Sequence, residues 1–81
     1  MIDQKHDRGV VAEVWETEGY GYIRTRAGER VFFDRRRVRP GHFHDLFVGT
    51  EVAFVRELGE CGWVARGVSV VRQNERLIPL G

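Results

Sequence analysis

The sequence predicts an all-β protein built as one small five-stranded barrel, and three observations predict it. Ten glycines and two prolines divide the 81 residues into short runs rich in Val, Tyr and Phe, the punctuation of strands joined by turns. No stretch repeats apolar residues at the i, i+3, i+4, i+7 spacing of an amphipathic helix with a cap at each end. The chain is also too short for more than one core, and closing a sheet on itself removes the edges that would otherwise invite aggregation.

The strands follow in order. The first, residues 9–15, ends at the separator Glu16-Thr17-Glu18. The second, 19–25, alternates with period two: Tyr20, Tyr22 and Arg24 share one face, and Gly19, Gly21, Ile23 and Thr25 share the other, so the two tyrosines point together. Arg26-Ala27-Gly28-Glu29 leads to the third, 30–34, where Phe32 shares a face with Asp34 while Val31 and Phe33 turn to the core. A long loop over 35–49 precedes the fourth strand, 50–56, in which Val52 and Phe54 alternate with Glu51, Ala53 and Val55. Residues 57–61 form the last separator and 62–71 the fifth strand. The domain is expected over 9–71, with an N-terminal extension at 1–8 and a C-terminal tail at 72–81. Leu77, Ile78 and Leu80 of that tail either pack back on the barrel or a partner, or belong to a frayed end.

A hydrophobic content of 42% with 31% charged residues is that of a folded domain rather than a disordered one. The first eight residues are charged throughout, and no run approaches the roughly 18 apolar residues that cross a bilayer. Cytoplasmic localisation is the expectation, with no membrane partner. The single Cys61 has no intramolecular disulfide partner, which fits a reducing compartment. Net charge is only +1, yet seven arginines lie between 24 and 39 against Glu29 and Asp34. A basic middle within an acidic remainder is a local electrostatic footprint that the net charge conceals.

Gly19-Tyr20-Gly21-Tyr22-Ile23, followed eight residues later by Val31-Phe32-Phe33-Asp34, resembles the paired aromatic motifs of cold-shock domains, whose usual forms are Lys-Gly-Phe-Gly-Phe-Ile and Val-Phe-Val-His-Phe. The resemblance runs without a gap from about residue 9 to 71, through Phe43, Gly49, Val52, Phe54, Gly59, Gly62, Ala65 and Val68. It implies a small five-stranded OB-fold (cold-shock-type) β-barrel that binds single-stranded RNA or DNA, with Tyr20, Tyr22, Phe32 and Phe43 as a stacking platform. An exposed aromatic offers a π-face to any unpaired base, worth roughly 1 to 3 kcal/mol per base. A glycine beside Tyr20 and Tyr22 lets a neighbouring strand approach closely. Arg24, on the tyrosine face, and Arg35 and Arg37, in the run that follows the second motif, are candidate phosphate contacts.

Several positions depart from the family pattern. Glu13 stands where the family commonly has an exposed Trp, Glu18 where it has Lys, Val14 where it has Phe, Asp34 where it has His, and Arg35 where it has the final aromatic. Two binding groups thus become carboxylates that repel phosphate. Trp15 restores a ring to the platform if a bulge turns it outward, or else it packs against the acidic loop. Trp63, where the family has a small turn residue or proline, either stacks a base or closes the barrel end.

Motifs for catalysis are absent: there is no phosphate-binding loop ending in Lys-Ser/Thr and no Gly-x-Ser-x-Gly elbow, and Glu57 and Glu60 flank an exposed turn. His42, His44 and Cys61 lack any metal-site spacing. The expectation is a non-enzymatic, cofactor-free protein that binds single strands as a cold-shock-like RNA chaperone or regulator, with flexible pyrimidine-rich strands preferred by analogy with the family. The alternative is an OB barrel whose face has turned to protein contact, including self-association as a homodimer.

Overall fold

The computed structural model describes residues 6–71; the expectations for the tail, with Leu77, Ile78 and Leu80, lie outside the described residues. Five strands form: β1 (Asp7–Trp15), β2 (Tyr20–Thr25), β3 (Arg30–Asp34), β4 (Glu51–Gly59) and β5 (Gly62–Val70). They close into a barrel in the order β1-β2-β3-β5-β4, with β4 returning to pair with β1. Neighbours are antiparallel except β3 and β5, which meet in parallel at Phe32 and Val64. None of the helices among the described residues is long and apolar enough to cross a membrane.

Alternation sorts the side chains as the period-two pattern requires. Ile23, Val31, Phe33, Val52 and Phe54 are fully buried and form one core with Val11, Ala65 and Val68. The segment expected to be a plain loop carries two 3₁₀ turns, Arg35–Arg37 and Phe43–Asp45. It lowers Val38, Phe43 and Leu46 into the same core, so it seals the barrel rather than merely connecting strands. His42 helps fix it, its Nδ1 accepting the Val70 backbone N–H at 3.1 Å. The separator expected over 57–61 shrinks to the two residues Glu60 and Cys61, because Glu57 and Leu58 continue the ladder opposite Val64 and Trp63.

Two local features of β1 and β2 position the outer face. The register between them shifts at Ala12: Val11 pairs with Ile23, but Glu13 pairs with Tyr22 and Trp15 with Tyr20. Strict alternation from the buried Val11 would send residues 13 and 15 inward; one extra residue reverses the phase. Val14 then packs against the core and Glu13 and Trp15 face out. Gly21 permits the close approach this needs, since a Cβ there would lie 2.3 Å from the Glu13 carbonyl oxygen and 2.8 Å from the Phe33 ring.

Candidate nucleic-acid interface

The outward faces of β1, β2 and β3 carry an aromatic strip. Trp15 lies against Tyr20, ring centroids 5.2 Å apart, and edge-on to Tyr22 at 6.2 Å. Phe32 meets Tyr20 at 5.9 Å and Tyr22 at 5.7 Å. The four rings therefore make a closed set of contacts, within the separations at which aromatic pairs stabilise one another. Their interplanar angles, from 37° to 84°, leave ring surfaces at several inclinations rather than one flat stack. Trp15 keeps 38% of its surface exposed. Of the two readings open for Trp15, the β1 bulge selects the one that joins it to the tyrosines.

Phe43 does not join them. It is 5% exposed and belongs to the core, and the guanidinium of Arg35 sits 4.4 Å from its ring centroid. The expectation of a stacking ring at 43 is corrected on that ground: a base cannot reach a π-face that one cation covers and the core encloses. Arg35 is engaged in building the site's border. Its backbone N–H donates to the Gly19 carbonyl at 2.8 Å and its side chain to the Glu16 carbonyl at 3.3 Å, which ties the β1–β2 turn to the end of β3.

Trp63 is half-exposed at the opposite side of the strip. With Tyr22, Arg30, Phe32, Cys61, Gly62 and Val64 it lines a shallow depression of about 570 Å³. One side of its ring is covered by Arg56, 4.8 Å from the centroid, so Trp63 both borders the strip and packs on the β4 arginine.

Charge around the strip is more balanced than the arginine count suggests. Arg24 is exposed and stands across from Arg30 in the β2–β3 ladder. Arg30 places its guanidinium 4.4 Å from the Tyr22 ring centroid and reaches Glu13 at 3.6 Å, so an ion pair bridges the tyrosine. At the other end, Tyr20 pairs with Asp34, whose carboxylate faces Arg36 at 3.5 Å and Arg37 at 3.9 Å. Two of the three acidic departures, Glu13 and Asp34, thus sit beside arginines. Sequence reasoning does not single out Arg30 as a site residue, although period-two alternation already puts it on the face of Phe32.

No protein-family model matches the sequence, and no curated protein does. Among solved structures, the fold is similar to that of Drosophila Unr CSD456, a cold-shock domain structure, with a TM-score of 0.70 over 91% of this chain at 22% sequence identity. The chain spans 30% of the length of that one. The architecture is that of a cold-shock-type OB barrel.

Proposed function

We propose, from a fold shared with cold-shock domains, that this protein binds single-stranded nucleic acid on the β1–β3 face without catalysing a reaction. The observation that carries the reading is the contiguous strip of Trp15, Tyr20, Tyr22 and Phe32 turned outward on a rigid barrel. Such rings stack unpaired bases whatever their sequence, each at roughly 1 to 3 kcal/mol. The tyrosine hydroxyls add donors and acceptors for base edges or phosphate. Arg24 and Arg30 on one side and Arg37 on the other supply cations for the backbone, and Trp63 extends the apolar border. Because duplex bases are stacked and paired, binding selects open strands and shifts the equilibrium from weak secondary structure by mass action. That is the physical content of an RNA-chaperone role.

The test is a titration with a short pyrimidine-rich single strand, read by Trp15 and Trp63 fluorescence at low and at physiological salt. Saturable quenching that weakens with salt is expected. Tyr22→Ala and Phe32→Ala should each reduce affinity about thirtyfold, the middle of the stacking range, with an unchanged far-ultraviolet spectrum. Unaltered affinity in both variants, or no binding by the native protein, would overturn the reading and turn attention to a protein partner, whose apolar contact would be insensitive to salt.

A further inference from the structure

The 3₁₀ turn at Arg35–Arg37 and the middle of β5 are distant in sequence but adjacent in the barrel wall. Val38 bridges Val68 in parallel, and the Arg39 backbone N–H donates to the Val68 carbonyl at 2.8 Å. Between these two segments lies a cleft of about 510 Å³ lined by Arg36, Arg37, Arg39 and Arg66, with Val38, Pro40 and Gly67. Four arginines thus line one concavity, and two carboxylates, Asp34 and Glu57, pair with three of them.

The cleft connects to the aromatic strip through Asp34. Trp15 contacts Tyr20, Tyr20 is the ladder partner of Asp34, and Asp34 faces Arg36 and Arg37, which line the cleft. Along this path the surface changes from a ring face flanked by Arg30 to cations without rings. A surface of the first kind takes bases, and one of the second kind takes phosphodiesters, which the planar guanidinium forks match as bidentate donors. The ion pairs holding Arg36 and Arg66 are solvent-exposed, with the arginine side chains 86% and 52% accessible. Exposed pairs of this sort contribute little, so a phosphate displaces them at small cost.

We propose that the cleft is a backbone-binding subsite: a single strand leaving the stacking strip at Tyr20 passes Asp34 and lays its phosphates along Arg36, Arg37, Arg39 and Arg66. This rests on the reading of the strip as a strand-binding face and adds a direction of exit and a dependence on strand length. Strands short enough to occupy the rings alone do not use it. Longer ones gain affinity that is electrostatic and therefore steeply salt-dependent.

The experiment compares oligothymidylates of about four and about eight nucleotides, within the footprint of an OB barrel, against the native protein and the double variant Arg39→Gln/Arg66→Gln. Neither residue touches the ring strip or Asp34, and a thermal melt verifies the fold. The longer strand should lose affinity about fivefold or more at low salt. Its log-affinity against log-salt slope should become shallower by about 1.4, or about 0.7 for each phosphate no longer neutralised. The shorter strand should bind both proteins equally. Overturning the subsite, but not the strip, would take either a longer strand that binds the variant with native affinity and slope, or a variant that weakens both lengths alike. If neither strand binds the native protein, the strand-binding reading fails first, and the subsite with it.

Discussion

Glu13 shows how one side chain sets the balance of this surface. It stands beside Tyr22 in the ladder and pairs at 3.6 Å with Arg30, whose guanidinium lies over the tyrosine ring. The pair is exposed, at 50% and 59%, so it is held weakly and opens readily. While it is closed, one face of Tyr22 is covered and Arg30 is spent on a carboxylate rather than a phosphate. Glu13→Gln should therefore tighten single-strand binding by about two- to fivefold at low salt, the equivalent of an exposed charge pair, and the gain should fade as salt screens it. Fluorescence titration of the variant at two ionic strengths checks this. Phe43 teaches the opposite lesson, since an aromatic in the right stretch of sequence is withdrawn into the core and its surface place is taken by Arg35.

At the scale of elements, the β1–β2 pair does most of the positioning. The bulge at Ala12 turns Trp15 out, and Gly21 lets the two strands approach until the Glu13 carbonyl occupies the space a side chain would need. Gly21→Ala would force its Cβ to within 2.3 Å of that oxygen and 2.8 Å of Phe33, and neither backbone nor a core ring gives way easily. The expected cost is about 1 to 3 kcal/mol, as for other overpacked sites, measured by urea denaturation. The same spreading separates Trp15 from Tyr20, so the tryptophan emission of the folded variant should shift as well.

For the whole molecule, Arg56 links parts of the barrel that are remote in sequence. From β4 it donates to Asp7 of β1 at 2.8 Å and to Glu29 of the β2–β3 turn at 2.7 Å, and it lies over Trp63 of β5. These hydrogen bonds, to Asp7 above all and then to Glu29, hold its pKa above the ordinary guanidinium value against the opposing effect of burial. A raised pKa on a cation means the contribution is complete below the unfolded value and lost only as pH rises through the folded one, beyond any working range. Arginine deprotonation therefore places no step in the stability profile. Arg56→Met should keep the stem packed while removing the bonds, at about 1.5 to 3 kcal/mol for hydrogen bonds to charged groups. Thermal unfolding should fall by roughly 6 °C or more, given about 4 to 8 °C per kcal/mol for a domain this small.

The sequence by itself determined the all-β class, the alternation that buries Ile23, Val31, Phe33, Val52 and Phe54, and the shared outward face of Tyr20, Tyr22 and Phe32, because period two is a local property that strands impose on any chain. It also held the information that Arg30 accompanies Phe32, though not that its guanidinium lies over Tyr22. Only the tertiary structure decided what depends on neighbours: a register shift that chooses the orientation of Trp15, a loop that takes Phe43 inside, and a parallel contact that brings Arg66 beside Arg36 and Arg37. Those outcomes rest on which strands pair and how closely backbones approach, and such long-range closure leaves no periodic mark in the order of residues.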